Sequence, residues 1–371
     1  MIRQTLAIFH DAYRELNSKR MFWIVLVLSG LVVLAFASVG TKDGKFTFLW
    51  WETPISVQVS ASDLYKILFS EFGIKWWLSF IATILALIST ASIFPDFITG
   101  GSIDLYLSKP IGRLRLFLTK YATGLLFVAL QVLVFAVASF LLIGIRGGEW
   151  EPGIFLAVPL VVCFFSYLFG LSVLFGVLTR STLAAVLLTV LAWGMIFCLD
   201  FGERSLLMFV NAAEREHSSL ERRIKDYDTR LAAMEKRTPE QQEKSKNVTD
   251  NWRQQRVELV EQRDSKALRN LKVAQKIVYN VKTFLPKTRE TTAVMNRRLI
   301  RLPDSESSDP DEDDESVAGR PRRRSILTPG DAIKTEQTMR SRPLSWIIGT
   351  SLAFEAVVLA IAAWVFIRRD Y

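Results

Sequence analysis

The chain has 371 residues, of which 50% are hydrophobic, and its 46 lysines and arginines against 37 aspartates and glutamates give a formal net charge of +9. The apolar residues are gathered into long runs, which excludes an ordinary soluble domain. Beside such runs, a basic excess is typical of cytoplasmic membrane flanks rather than of nucleic-acid binding. Two cysteines and two histidines are too few for a disulfide framework or the usual zinc sites, so we expect no metal and no cofactor.

Residues 1–20 are predicted to form an amphipathic helix that lies along the inner membrane surface. Their apolar residues recur at spacings of four and three, which places them on one helical face. These residues are Ile2, Leu6, Phe9, Tyr13 and Leu16. The alternative is a solvated leader that only precedes the first span.

Six apolar runs are long enough to cross a bilayer, which needs roughly 20 helical residues. Because lipid offers the backbone no hydrogen-bond partner, each run is predicted to be a helix, and the fold class is an all-α polytopic membrane protein. The runs are residues 21–39, 76–94, 121–145, 154–178, 183–201 and 344–367. The first run also resembles a cleavable signal peptide with Ala35-Phe36-Ala37 at its end, but it is long for that, and twenty residues precede it.

The basic residues of the short connections predict that both termini are cytoplasmic. With the N-terminus inside, the inner connections hold about twice as many lysines and arginines as the outer ones, and the tail pair Arg368 and Arg369 agrees with this orientation. The first outer loop, residues 40–75, contains an aromatic stretch from Phe46 to Trp51. That stretch suits the membrane–water interface, and it suits a short hairpin equally well.

Residues 202–286 are predicted to form a helical hairpin outside the membrane. Two heptad seams are present, and Pro239 between them interrupts a continuous helix. We expect residues 211–236 to pack against residues 250–284, with Asp264 weakening the second seam; the alternative is two solvated helices that never pair. The seams are Leu220, Ile224, Tyr227, Leu231 and Met234, then Val257, Val260, Asp264, Ala267, Leu271, Ala274, Val278 and Val281.

Residues 287–343 lack apolar periodicity, and we expect them to be disordered or irregular. Residues 309–315 form an acidic block and residues 320–324 a basic one. Such blocks are typical of disorder. The chain then returns to the membrane, so that residues 344–371 hold the sixth span and a cytoplasmic tail.

The sequence contains no recognisable catalytic or nucleotide-binding motif. Without a phosphate-binding loop, the chain has no visible site at which to hydrolyse ATP itself. The notable acid is Glu355, midway along the sixth run, where an ionised carboxylate is costly and usually faces protein or water. Glu355 is either a pathway or gating residue, or a protonated or hydrogen-bonded side chain at a helix–helix contact.

The connector at residues 95–120 carries the most informative pattern. Proline and aspartate at its start end the second run, and a short helix with basic exit residues is expected before the third. A short rigid helix between two spans can transmit force from a cytoplasmic partner. The stretch Leu105-Tyr106-Leu107-Ser108-Lys109-Pro110-Ile111-Gly112-Arg113 resembles the “LLSKPIxR” motif of type-2 ABC exporter permeases.

Two further segments carry the same resemblance. The tail Trp364-Val365-Phe366-Ile367-Arg368-Arg369-Asp370-Tyr371 resembles that family's “F-x-R-R-D-[FY]” ending, and Ser18-Lys19-Arg20-Met21-Phe22-Trp23 with the amphipathic helix before it resembles the family's opening. The resemblance covers the six spans and their cytoplasmic connectors. It does not cover residues 212–343, where the family often has only short re-entrant helices.

The resemblance implies a membrane subunit that pairs with a second permease copy or homologue and binds a separate cytoplasmic ABC ATPase. The connector would be the coupling helix that docks on the ATPase, with its last residues at the membrane edge. The ATPase-coupling residues implied in this way are Gly101, Ser102, Ile103, Asp104, Leu105, Tyr106, Leu107, Lys109, Pro110 and Arg113.

We therefore expect a permease subunit of the plasma (inner) membrane that couples ATP hydrolysis by its partner to transport and is not itself an enzyme. The first alternative is a membrane anchor or sensor that presents the external hairpin without transport. The second is a membrane-embedded enzyme that uses Asp96, Asp104 or Glu355.

Overall fold

The computed structural model describes residue 14 and residues 20–42, 45–49, 51–56, 60–99, 112–264, 266–299 and 327–369. The predicted amphipathic helix over residues 1–20 lies almost entirely outside these ranges. The chain divides into two compact units. The membrane unit comprises Met1–Phe197, Phe284–Ser307 and Pro343–Tyr371, and the insertion unit comprises Cys198–Thr283 and Ser308–Arg342.

Within the described ranges, six helices are long and apolar enough to cross a membrane, which confirms the predicted number. We number them spans 1 to 6. Their bounds are Arg20–Ala37, Ala61–Ile98, Arg113–Gly147, Pro152–Thr179, Thr182–Glu235 and Ser345–Arg368.

The α-helices and strands that make up the chain are labelled in order. The α-helices are α1 (Arg20–Ala37), α2 (Ala61–Ile67), α3 (Thr83–Thr90), α4 (Ile93–Thr99), α5 (Arg113–Leu142), α6 (Ala157–Thr179), α7 (Thr182–Glu235), α8 (Pro239–Lys244), α9 (Lys246–Arg263), α10 (Ala267–Thr283), α11 (Thr288–Leu299), α12 (Pro329–Arg340) and α13 (Thr350–Arg368). The strands are β1 (Val39–Lys42), β2 (Lys45–Phe48) and β3 (Trp51–Ser56). The segments Leu68–Ala82, Ile143–Gly147 and Ser345–Gly349 are π-helical, and Pro152–Leu156 is a 3₁₀ helix.

The chain is mostly helical, as predicted, and residues 40–75 contain the short hairpin that was one of the two predictions for that loop: three strands form an antiparallel sheet in the order β1-β2-β3. Val39 pairs with Phe48, and Phe48 pairs with Trp51. Leu49, between β2 and β3, has a φ of 56° in the left-handed region. Tyr65 of α2 donates a hydrogen bond to the carbonyl of Val39 (2.7 Å). The β-branched and aromatic residues of this loop favour strand pairing over helix.

Span 2 begins fifteen residues before the predicted run of residues 76–94. Ser60 starts it as an N-cap, because its side chain accepts a hydrogen bond from the backbone N–H of Asp63 (3.1 Å). Glu71 and Lys75 ended the apolar run in the sequence, but they form an ion pair with each other one turn apart. A charged pair of this kind is compatible with a continuous helix.

Span 4 forms the centre of the membrane unit and packs against spans 3 and 6. Its phenylalanines Phe164, Phe165 and Phe169 are almost fully buried. Spans 3 and 4 approach closely at Gly124, where an added Cβ would lie 2.5 Å from the ring of Phe169. A larger residue at position 124 would therefore force this aromatic core apart.

Two helices lie in the stretch for which no regular structure was predicted. α11 packs in the membrane unit against α6, with Thr288, Thr291 and Val294 buried. Its threonine hydroxyls donate hydrogen bonds to backbone carbonyls one turn earlier, as Thr291 does to the carbonyl of Lys287 (2.8 Å). α12 begins with a capping box formed by Thr328 and Asp331. The acidic block at 309–315 and the basic block at 320–324 lie outside the described residues.

The insertion unit begins without a break in the chain's helix. α7 runs as one helix of 54 residues from the fifth apolar run to Glu235, through the predicted domain boundary at residue 202. Pro239 stands at the first position of α8, where its missing N–H is not needed. The second seam is not continuous either: α9 ends at Arg263 and Asp264 begins a turn.

The turn after α9 is stabilised by charge. The Arg263 side chain donates a hydrogen bond to the Asp264 carboxylate (2.8 Å). This bond lowers the pKa of the Asp264 carboxyl below its usual value. Asp264 thus lies at the C-terminal cap of α9, and its weakening of the seam stays a prediction.

α9 lies antiparallel to the C-terminal half of α7. Leu220 and Ile224 of α7 bury their side chains with Leu259 of α9. Further along α7, Tyr227 donates a hydrogen bond to the Gln255 side chain (2.6 Å). α10 also runs beside α7, since ion pairs join Lys272 to Glu214 and Lys282 to Glu203.

Candidate functional site

The predicted inner end of the membrane unit is held together by two arginines. Arg113, the first residue of α5, donates hydrogen bonds to the carbonyls of Ile367 (2.9 Å) and Arg369 (3.2 Å) at the end of span 6. Arg369 in turn donates to the carbonyls of Val177 (2.7 Å) and Leu178 (3.2 Å) at the end of span 4. The last carbonyls of a helix have no intrahelical partner and attract cations, so both guanidinium groups act as caps supplied by another helix.

These caps join three spans at one end of the bundle. The start of span 3 is tied to the end of span 6, and the end of span 6 is tied to the end of span 4. Span 4 ends with Arg180 in the left-handed conformation (φ 54°), which leaves its terminal carbonyls turned towards the tail. Lys120 lies about two helical turns after the start of span 3. Its ammonium group is above the ring of Phe97, 5.3 Å from the ring centre.

Of the residues predicted to couple to an ATPase, the structure describes Arg113. The remaining ones lie outside the described residues, so their docking role stays a prediction. They are Gly101, Ser102, Ile103, Asp104, Leu105, Tyr106, Leu107, Lys109 and Pro110. The described ends of the connector are α4, which closes span 2, and Arg113, which opens span 3.

Glu355 lies at a contact of three spans. Its side chain is buried, and its two carboxylate oxygens accept hydrogen bonds from Tyr121 of span 3 (2.6 Å) and Ser166 of span 4 (2.7 Å). The geometry is that of a hydrogen-bonded acid at a helix–helix contact, one of the two interpretations of the sequence; the gating role stays a prediction.

Aromatic rings complete the surroundings of this carboxyl. Tyr121 stacks on Phe169, with 5.1 Å between ring centres and 10° between ring planes. One turn of span 4 away, Cys163 and Tyr167 are in hydrogen-bond contact (2.9 Å). Hydroxyl donors thus contact the acid beside packed aromatic rings. Their hydrogen bonds offset part of the cost of burying a carboxyl within a membrane.

A second buried cluster in the insertion unit includes two acids and two bases. Lys282 of α10 contacts Asp200 (2.6 Å) and Glu203 (2.7 Å), both on α7. Arg342 pairs with the same Glu203 and lies over the ring of Tyr279. All four charged side chains are at most 8% exposed.

The sequence pattern did not join Asp200 and Glu203 to Lys282 and Arg342. A usable signal was present. Asp200 and Glu203 stand where the fifth apolar run gives way to charged sequence, and Arg342 stands two residues before the sixth run. Opposite charges at the ends of two apolar runs predict a pair if those ends meet, but nothing local in the sequence says that they do.

The three acids proposed for a membrane-embedded enzyme are not equally buried where the structure describes them. Asp96 is exposed near the end of span 2, Glu355 is buried among hydroxyls, and Asp104 lies outside the described residues. No family model, no curated protein and no solved structure matches the chain.

Proposed function

We propose that the chain is the membrane-spanning permease subunit of an ATP-binding cassette exporter and that it couples ATP hydrolysis in a separate subunit to transport. One observation carries this proposal. Arg113, which closes the Lys-Pro-Ile motif, donates a hydrogen bond to the carbonyl of Arg369 in the Arg-Arg-Asp tail. Two motifs separated by about 250 residues of sequence therefore meet at one point. Their contact joins the connector to the end of span 6, so that a movement of one can act on the other.

The contacts supply a route for force. Movement of the connector at 95–120 acts on the start of span 3, because Arg113 belongs to both. Arg113 passes that movement to span 6, and Arg369 passes it to span 4. Deeper in the membrane unit, Glu355 joins the same three spans through Tyr121 and Ser166. Spans 3, 4 and 6 would thus move as one block when a cytoplasmic ATPase pushes the connector.

The remaining spans offer the surface for relative motion. In span 5, 22% of the most apolar 18-residue stretch is buried, against 61% of the corresponding stretch in span 4. Leu183, Leu187 and Leu191 are exposed along one face of it. This face would contact lipid or a second permease copy. Both termini would be cytoplasmic, and residues 202–286 would form a coiled-coil hairpin on the outer side of the plasma membrane.

The test is reconstitution of the chain in liposomes with the ABC ATPase encoded beside its gene. Simultaneous replacement of Asp104, Leu105 and Tyr106 by alanine should abolish the stimulation of ATPase activity by the membrane subunit while assembly in the bilayer persists. Trp51→Ala, an exposed position on β3 at the predicted outer end, is the control and should leave the stimulation intact. Unchanged stimulation in the triple variant would refute the docking assignment.

The second candidate function is an anchor or sensor that presents the insertion without transport. The long helix α7 favours it, because charged sequence that packs against α9 is suited to contact an envelope component. In that case deletion of residues 212–284 would remove function, and the triple alanine variant would keep it. The opposite pair of results supports the permease.

A further inference from the structure

A small cavity lies among spans 1, 2, 3 and 4 of the membrane unit. Its volume, counted as the space open to the centre of a water molecule, is about 10 Å³. Seven of its lining residues are aliphatic, and three are polar: Ser29 of span 1, Thr83 of span 2 and Gln131 of span 3. Each polar residue comes from a different span, so the cavity is a point at which three helices present hydrogen-bonding groups to one another.

Gln131 is the residue that points to a ligand. It is 6% exposed, and among the described residues none lies within hydrogen-bond distance of its side-chain nitrogen. A buried amide group without a partner is unfavourable in an apolar interior, and native structures almost always satisfy it. The amide carries donors on one side and an acceptor on the other, so exchanging the two ends leaves the same need for a partner.

The other two polar groups are already partly engaged, which defines what they still offer. Ser29 accepts a hydrogen bond from the Trp77 ring nitrogen (3.2 Å), which leaves its own hydroxyl proton for another acceptor. Thr83 donates its proton to the carbonyl of Leu78 (2.7 Å), which leaves its oxygen lone pairs to accept. Donors from Gln131 and Ser29 and an acceptor from Thr83 match the bonding capacity of a water molecule.

The position of the cavity along span 2 is also informative. The π-helical segment Leu68–Ala82 ends at Thr83, where α3 begins. The change from π to α hydrogen bonding leaves a backbone carbonyl without an N–H partner, and the Thr83 hydroxyl bonds the carbonyl five residues earlier instead. Polar groups are therefore concentrated at a break in the regular ladder of the helix, which in a membrane must be satisfied internally.

We infer that this cavity binds one water molecule, which accepts a hydrogen bond from Gln131 and links spans 1, 2 and 3. Its volume is at the size that holds a single water, and three polar residues lie within the two to four partners that buried water uses. The water hydrates the junction at which span 2 changes from π to α hydrogen bonding. This inference is independent of the exporter proposal, because it concerns the packing of the membrane unit alone.

The direct test is solid-state NMR on the full chain in lipid bilayers with ¹⁵N-labelled glutamine side chains. Gln131→Leu identifies the Gln131 amide signal by its loss. In the unsubstituted protein that signal should receive magnetisation from water at short mixing times although the residue lies within the membrane. A Gln131 amide that shows no transfer from water, in protein whose other signals are native, overturns the inference.

Filling the cavity separates bound water from general hydration. Ala86 lines the cavity and is 2% exposed, so Ala86→Val should displace the water and abolish the transfer while the Gln131 amide signal remains. Should that variant not fold, Val128→Ile, at another lining position, serves the same purpose. Ser139→Ala is the matched control, since Ser139 is a buried, unpartnered hydroxyl on span 3 that does not line the cavity, and it should leave the transfer unchanged. Persistent transfer in the filled variants would contradict a water in this cavity.

Discussion

The two units bury carboxylates in opposite ways. In the membrane unit, Glu355 accepts hydrogen bonds from the neutral hydroxyls of Tyr121 and Ser166. In the insertion unit, Glu203 is held by the cations Lys282 and Arg342. Neutral donors tolerate either protonation state of an acid, whereas a buried acid paired with cations depends on each of those cations. The comparison teaches that the insertion cluster is the more fragile of the two and the membrane cluster the more adaptable.

The largest expected effect is in the insertion cluster. Arg342→Ala would leave a buried acid without one of its cations, which destabilises by about 3–5 kcal/mol. The measurement is the midpoint of unfolding in detergent, with limited proteolysis of the insertion as a second readout. Arg340→Ala is the control, because Arg340 pairs with Glu336 at the surface two residues away. Equal effects of the two changes would show that the buried pairing is unimportant.

The second-largest loss of stability is expected from a substitution in the core of the insertion unit. Leu259→Ala would remove the α9 residue that packs on Leu220 and Ile224 of α7, at a cost of about 2–3 kcal/mol. Hydrogen exchange along α9 should rise in this variant. Val257→Ala on the exposed face of the same helix should change little. Similar exchange in both variants would mean that α9 and α7 do not pack in solution.

The membrane cluster should respond less strongly. Tyr121→Phe removes one of two donors to Glu355, and loss of a hydrogen bond of this kind costs about 1–2 kcal/mol. Adding Glu355→Gln should recover part of that loss, because the neutral amide needs fewer donors. Tyr227→Phe, which removes the same hydroxyl from an exposed contact with Gln255, should be close to neutral. A Tyr121→Phe protein as stable as the control would remove the argument that this contact joins the spans.

The smallest expected effect belongs to a surface pair between α7 and α9. Arg256→Ala breaks the contact with Asp228, and exposed pairs contribute less than about 1 kcal/mol. The effect should fade as salt is raised, since exposed charges are screened. Arg253→Ala removes a cation that pairs within its own helix and provides the reference. A loss as large as that of Arg342→Ala would erase the distinction between buried and exposed pairs.

The span boundaries show how far local patterns reach. Glu71 and Lys75 interrupt the apolar residues just before the predicted start of span 2 at residue 76, although the two side chains pair with each other along the helix. The end of span 5 was placed at residue 201 because charged sequence follows, yet helix propensity carries α7 on to Glu235. Apolar composition reports contact with lipid, whereas helix formation depends on the backbone, and the two need not end at the same residue.

α11 illustrates the opposite error. Its threonines and arginines gave no apolar stripe, so no element was predicted, but Thr288 and Thr291 are buried in the membrane unit. Side chains that bond to their own helix can be buried without being apolar. Hydrophobic periodicity cannot detect such a helix.

What the sequence determined by itself is the number of spans, because each apolar run must satisfy its backbone within itself and lipid leaves it no choice but helix. What only the tertiary structure decided is which distant residues meet: Arg113 with Arg369, Glu355 with Tyr121, and Glu203 with Arg342. Those meetings depend on how the helices pack against one another, and no stretch of local sequence contains that information.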